Sequence, residues 1–315
     1  MKMYETPHAL NDYLDTRFEC NCGREHYASL KFVSVRKNAL EDLPVFAQKL
    51  DFKSLYLICD PITYDIAGKC CMEILAAAGV KASAVVLKHT GFDEATLGEL
   101  LINMPDDCDL VVAVGTGAIN DMTRYFSFRM HRPFFTVATA APMDGFASAL
   151  AVLNINNLKT SIDAQTPTAI IGDTEILKNA PYRMIAAGLG DLLGKATCLC
   201  DWKLSKVING EHYCDRIVEL VEQCVADVLQ NAGKAKDRDP AVGQYHGRSG
   251  ADRRCHEPLR KLPPRIRLRT PYVSLLGNDV RAGRQAPCPP RHPGGRRHCA
   301  GAESCRAVPV QWCGF

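Results

Sequence analysis

Short apolar runs rich in β-branched residues alternate with stretches of helical period over the first part of the chain. SLYLICD (54–60), ASAVVL (82–87), DLVVAVG (109–115) and PFFTVAT (133–139) read as buried strands. YDIAGKCCMEILAAAGV (64–80), DEATLGELLINM (93–104) and INDMTRYFSFRMH (119–131) carry helical spacing between them. Continuously apolar strands separated by helices of this length predict a parallel sheet covered on both faces. The pattern then changes. SALAVLNINNLKTSIDAQTPTAIIGD (148–173) alternates and turns as a β-hairpin excursion does. After Pro181, a residue suited to a first helical turn, two long helical patterns follow, YRMIAAGLGDLLGKATCLCDWKLSKVING and YCDRIVELVEQCVADVLQNAG. The expected fold class is α/β. A parallel-sheet domain spans 1–175, an all-helical domain begins over 176–240, and 241–315 forms a disordered tail in which neither period persists.

Composition changes the picture only at that tail. The chain of 315 residues is 47% hydrophobic, so it can bury a sizeable core. Its start, MKMYETPHALNDYLD, is polar and acidic, unlike a signal peptide. No apolar run approaches the length of a membrane span. The 15 cysteines are scattered and read as reduced cytosolic thiols, which places the protein in the cytoplasm. The net charge of +3 hides a split: residues 1–243 hold 24 Lys and Arg against 31 Asp and Glu, and residues 244–315 hold 14 against 4. Half of the 18 prolines also lie in that last stretch. A basic, Pro-rich tail suits nucleic-acid binding, and it equally suits simple disorder.

Four motifs carry candidate chemistry. In VVAVGTGAINDMTRY (111–125), Gly115 and Gly117 end a strand where a helix starts. Glycines there let backbone N–H groups approach a pyrophosphate, and the helix N-terminus favours its charge. The spacing is not G-x-G-x-x-G, so the motif alone is weak evidence, and a tight turn is the alternative. In TVATAAPMDGFAS (136–148), Thr139 and Ser148 offer hydroxyls and Asp144 a carboxylate at the carboxyl edge of the sheet. Asp-Gly is also an ordinary turn. In AAGLGDLLGKAT (186–197), Asp191 sits in an apolar helix, where a carboxylate is costly unless it is paired or binds a metal. Lys195 at i+4 offers a simple ion pair. In CNCGREH (20–26), Cys20, Cys22 and His26 are three soft zinc ligands, but a closed structural site needs four, which favours a loop with free thiols.

Together, GTGAIND, TAAPMDGFAS and AGLGDLLGK, in this order, resemble the sn-glycerol-1-phosphate dehydrogenase family of the iron-containing alcohol dehydrogenase and dehydroquinate synthase-like superfamily. CNCGREH is similar to its bacterial, AraM-type members. The resemblance spans residues 15 to 240. It implies a nucleotide-binding N-terminal domain, a helical metal- and substrate-binding domain, and an active site in the cleft between them. The implied reaction is the reversible NAD- or NADP-dependent reduction of dihydroxyacetone phosphate to sn-glycerol 1-phosphate. By the resemblance, Gly115, Thr116, Gly117, Ala118 and Ile119 hold the pyrophosphate. Thr139, Ala140, Ala141, Pro142 and Ser148 also contact the cofactor, and Asp60 meets the adenosine ribose. Asp144 touches substrate, and Asp191 touches both substrate and a divalent zinc or nickel ion acting as Lewis acid. The implied partner is a small molecule, not nucleic acid or a membrane; a homo-oligomer is left open. Glycerol dehydrogenase of the same superfamily and a non-catalytic nucleotide-binding fragment are the alternatives.

In that family two histidines complete the metal site, in stretches like G-x-EHH-x-SH and LHG, and this sequence has neither. A frame error between Asp239 and Gln244 accounts for their loss. Permitted codons for RLRTPYVSLLGNDV (267–280), read from the second base, give G-C-E-H-H-M-S-H. CPPRHPG (288–294) gives A-L-H-G-T-Q at the same offset, and QYHG (244–247) gives N-I-M. Three matches in family order at one offset outweigh codon freedom. On this reading His246, His256, Cys288, His292 and His298 carry no function.

Overall fold

The computed structural model describes residues 14–89 and 91–232. These all belong to one compact unit; the whole expected tail, 241–315, lies outside the described residues. A small hairpin of β1 (Arg17–Glu19) and β2 (Glu25–Tyr27) comes first. Then follow β3 (Phe32–Arg36), α1 (Asp42–Lys49) and β4 (Ser54–Cys59). A short α2 (Pro61–Thr63) runs through a π turn into α3 (Lys69–Ala77). The chain continues through β5 (Lys81–Val86), α4 (Glu94–Asn103), β6 (Leu110–Gly115), α5 (Gly117–Arg129) and β7 (Phe134–Ala138).

β8 (Leu150–Ile155) and β9 (Leu158–Asp163) pair antiparallel. Asn156 and Asn157 turn this hairpin with φ of 50° and 60°, the left-handed pair that a two-residue hairpin loop needs. The last stretch of the expected excursion behaves differently. AIIGD forms β10 (Ala169–Asp173), fully buried and parallel to both β3 and β7. A run of five residues buried on both faces shows no alternation, so its membership of the central sheet was hidden behind the hairpin that precedes it. β3 at the sheet edge was missed as well, because five residues are too few for periodicity to settle.

The six-stranded sheet has the order β3-β10-β7-β6-β4-β5, all parallel. Alternate residues of each strand feed opposite faces. Leu55, Leu57, Leu110, Val112 and Val114 pack with Leu43 of α1 and Leu75 of α3. Tyr56, Ile58, Val111 and Ala113 pack with Leu100 of α4 and with Met122 and Phe126 of α5. Full burial of each such large side chain contributes about 1.5–3 kcal/mol. The chain leaves β4 toward β5 on one side and β6 toward β7 on the other. The strand order therefore reverses between β4 and β6, and in open sheets of this kind the ligand crevice lies at the carboxyl ends of the strands at that reversal.

Beyond β10 the structure is helical: α6 (Thr174–Lys178), α7 (Tyr182–Asn209) and α8 (Asp215–Asn231). α7 runs unbroken through Gly188, Gly190 and Gly194 and stops at Gly210, whose φ of 65° only glycine adopts freely. Among the described residues no helix is long and apolar enough to cross a membrane.

Candidate cofactor and substrate site

Two loops meet at the carboxyl edge of the sheet. β6 ends at Gly115, and α5 starts two residues later. A Cβ on Gly115 would lie 2.6 Å from Ile119 Cδ1 and 2.9 Å from its Cβ, so glycine is required for the helix to close against the strand. A Cβ on Gly117 would meet nothing within 4 Å and would point into open space. Thr116 is the N-cap in extended conformation, yet its side chain makes no capping bond, and its hydroxyl is buried without a hydrogen-bond partner. The first-turn N–H groups of α5 thus receive no side-chain cap, the arrangement that an anionic group complements. Ala118 is exposed at this turn and Ile119 is buried beneath it.

The loop after β7 lies alongside. The N–H of Thr139 donates to the carbonyl of Gly115 at 3.2 Å and ties the two loops together. Thr139, Ala140 and Ala141 are buried and Pro142 half-buried. Ser148 uses its hydroxyl on Leu150, donating to the carbonyl at 3.0 Å and accepting from the N–H at 2.9 Å, which closes the turn into β8. Asp60 follows β4 and caps α2: its Oδ1 accepts from Thr63 N–H at 2.7 Å, and Thr63 Oγ1 accepts from Asp60 N–H at 3.0 Å. That reciprocal cap fixes the Asp60 carboxylate at the β4 side of the crevice.

Asp144 is fully buried. Its carboxylate pairs with Lys195 Nζ at 2.5 Å, and its backbone N–H donates to Asp191 Oδ2 at 2.9 Å. Lys195 is thus an ion-pair partner of the Asp144 loop across the fold. Asp191 and Lys195, four residues apart on α7, present both groups to one loop. Nearby on α7, burial pushes the Cys198 thiol up from its ordinary value, against the favourable field of Lys195.

One residue that holds this site was not anticipated. Arg124 of α5 is completely buried. Its guanidinium donates to the carbonyls of Gly145 at 2.7 Å, Phe146 at 3.0 Å and Leu150 at 2.9 Å, and pairs with Asp121. Burial pushes the Asp121 carboxyl up, while Arg124 pulls it the other way. Asn120, Thr123, Arg124 and Ser127 are all buried and lie on one helical stripe. A polar stripe beside an apolar one normally faces water; here Arg124 faces the loop that carries Asp144, while Asn120 accepts from Thr136 of β7 at 2.8 Å and Ser127 accepts from Gln165 at 2.8 Å. Four polar residues at i, i+3, i+4 and i+7 were the available signal.

The hairpin motif gains a partner. Cys20, Cys22 and His26 converge with Cys214, the N-cap residue of α8, and their ligand atoms all lie within 4.8 Å of one another. The fourth ligand that the local sequence lacks comes from 188 residues beyond His26. Burial pushes the thiols of Cys22 and Cys214 up.

The model of the iron-containing alcohol dehydrogenase family matches residues 34–181. The chain is 39% identical over 202 residues to a glycerol-1-phosphate dehydrogenase (NAD(P)+) of Bacillus velezensis, covering 61% of this chain and 51% of that protein. It is 32% identical over 231 residues to the protein of the same name from Halalkalibacterium halodurans, covering 71% and 58%. The chain therefore spans little more than half the length of these relatives. Among solved structures, a glycerol dehydrogenase from Schizosaccharomyces pombe matches with a TM-score of 0.57 at 18% identity, over 70% of this chain and 60% of that one. An NADH-dependent butanol dehydrogenase A from Thermotoga maritima matches with a TM-score of 0.61 at 11% identity, over 74% and 63%. At such identities these two structures speak to the fold alone.

Proposed function

We propose that this chain, whose residues 34–181 match the iron-containing alcohol dehydrogenase family, is the cofactor-binding part of an NAD(P)-dependent glycerol-1-phosphate dehydrogenase. The observation that carries this reading is the α5 N-terminus at the strand-order reversal. Its N-cap hydroxyl makes no capping bond, and the side-chain position of Gly117 opens onto space. Those features suit the pyrophosphate of a dinucleotide. Gly115 to Ile119 hold the pyrophosphate, Thr139 to Pro142 line the neighbouring wall, and Asp60 meets the adenosine ribose. Ser148 acts through the turn it closes. The cofactor supplies or accepts the hydride. Asp144 and Asp191 face the substrate, and the Arg124 clamp holds the Asp144 loop in place for it.

The catalytic metal fits less well. In this reading Asp191 would be one ligand of a zinc or nickel ion, which would supply Lewis-acid chemistry at the substrate oxygen. A catalytic site of this kind needs about three protein ligands. Among the described residues, Asp191 belongs to no group of three or more His, Cys, Asp or Glu able to hold an ion. The expected histidine stretches are also missing from the sequence. The chain as it stands therefore binds nucleotide without turning over. The boundary between the nucleotide-binding and helical parts falls near residue 175, between β10 and α7.

Titration of the full chain with NADH and NADPH, read by nicotinamide fluorescence, tests the binding half. Assay of dihydroxyacetone phosphate reduction with added zinc or nickel tests the other half. Saturable nucleotide binding with no measurable turnover is expected; robust turnover would refute the assignment of the metal site.

A further inference from the structure

We propose that Cys20, Cys22, His26 and Cys214 bind one structural zinc ion that staples the N-terminal hairpin to the start of α8. The inference stands apart from the dehydrogenase reading, which uses none of these residues.

The geometry fits a tetrahedral ion. Zinc–sulfur bonds of about 2.3 Å and zinc–nitrogen bonds of about 2.0–2.1 Å put tetrahedral S···S edges near ~3.8 Å and S···N edges near ~3.6 Å. Cys20 Sγ lies 3.6 Å from Cys214 Sγ, Cys214 Sγ 3.6 Å from His26 Nε2, and Cys22 Sγ 3.2 Å from the same nitrogen. All four ligand atoms lie within 4.8 Å of one another. Three thiolates and one imidazole form a soft donor set suited to zinc, and four protein ligands close the site against substrate or water.

The backbone supports the same arrangement. Cys20 opens the hairpin turn and Cys22 lies within it; Gly23 N–H donates to Cys20 carbonyl at 2.9 Å and Cys20 N–H to Arg24 carbonyl at 3.1 Å. Gly23 has a φ of 81°, which a side-chain-bearing residue adopts only with strain. The turn directs two sulfurs at one point while His26, on the returning strand, is buried beside them. Cys214 is completely buried at the N-terminus of α8, where the helix dipole favours a thiolate. The contacts around the cluster are modest: Trp202, Ile217, Val218 and Val221, with Tyr27 and Tyr213 at its margin. A hairpin of two three-residue strands is marginal on its own, so an added link to α8 would stabilise it. An ion here therefore couples residues nearly two hundred positions apart in sequence.

The test uses the full chain, purified without chelator. Elemental analysis is expected to find one zinc per chain, unchanged in Asp191→Ala. Cys20→Ser and Cys214→Ser should each reduce zinc content at least tenfold. Should those variants fail to fold, cobalt(II) substitution of the unaltered chain decides. Intense tetrahedral d–d bands with thiolate-to-cobalt charge transfer are expected, and His26→Cys should retain cobalt with its bands moved to longer wavelength. Several results would overturn the proposal: a folded chain without stoichiometric metal, a Cys20–Cys214 disulfide in non-reducing peptide maps, zinc lost with Asp191, or the weak spectrum of octahedral cobalt.

Discussion

The backbone N–H of Asp144 is held by Asp191 at 2.9 Å, while four residues along α7 the Lys195 ammonium grips the Asp144 carboxylate at 2.5 Å. One turn of a helix thus holds both the main chain and the side chain of a single loop residue. Asp144 is fully buried and Lys195 is 7% exposed, so the pair is held out of water. Asp144→Ala should cost about 3–5 kcal/mol, because it takes the carboxylate at 2.5 Å away from a buried ammonium. Adding Lys195→Met should recover much of that loss. Urea unfolding of the two single variants and the double variant measures the coupling. Strict additivity would show that the pair is not a unit.

Arg124 should behave as a clamp on the same loop. Arg124→Met removes donors to three carbonyls and the partner of Asp121, and should destabilise the chain by about 3–5 kcal/mol. Arg124→Lys should restore little, because one ammonium cannot reproduce a planar fork. Hydrogen exchange locates the effect. Amides of 145–152 should exchange faster in Arg124→Lys, and unchanged protection there would exclude the clamp.

Gly115 tests why a glycine stands at the end of β6. Gly115→Ala drives a methyl group to 2.9 Å from Ile119 Cβ, which a rotamer change cannot relieve. A loss of about 1–3 kcal/mol is expected. Ile119→Ala in the same chain removes the Cδ1 and Cγ2 atoms, at 2.6 and 3.1 Å, and keeps Cβ, so it should relieve part of the clash and leave the double variant more stable than the two losses added together. Full additivity of the two would place the reason for Gly115 elsewhere.

The missing histidines give a prediction about turnover. Restoring the frame after Asp239 should yield a chain that reduces dihydroxyacetone phosphate, whereas the sequence as it stands should not. In the restored chain, Asp191→Ala should abolish turnover. Loss of several kcal/mol of Lewis-acid stabilisation corresponds to orders of magnitude in rate at about 1.4 kcal/mol per tenfold. Activity in the unrestored chain would show that the metal site lies elsewhere.

The parallel sheet was legible because β4, β6 and β7 are continuously apolar and separated by helices of strong period. β10 and β3 were not, since short strands carry no pattern that distinguishes them from a hairpin arm or a loop. The loop residues Gly115 to Ile119 and Thr139 to Ser148 could be placed at the sheet edge because each follows a strand directly. What those residues do to one another was not legible. Lys195 could be seen as a partner for its helix neighbour Asp191, but its pairing with Asp144 depends on how α7 crosses the sheet edge. Arg124 was invisible because a polar helical stripe is ordinarily solvated. Cys20, Cys22 and His26 announced three ligands, and only folding brings Cys214 to them.

The nucleotide site is tested most directly at Gly117. A Cβ there meets nothing within 4 Å outside its own helix turn, so Gly117→Val is expected to leave the fold and its unfolding transition nearly unchanged. It should, however, fill the space above the first turn of α5 where the pyrophosphate is proposed to sit. NADH titration of the full chain and of Gly117→Val, followed by nicotinamide fluorescence, should show saturable binding in the first and at least tenfold weaker binding in the second. Equal affinity in the two proteins, or no binding to the unaltered folded chain at millimolar cofactor, would contradict the account.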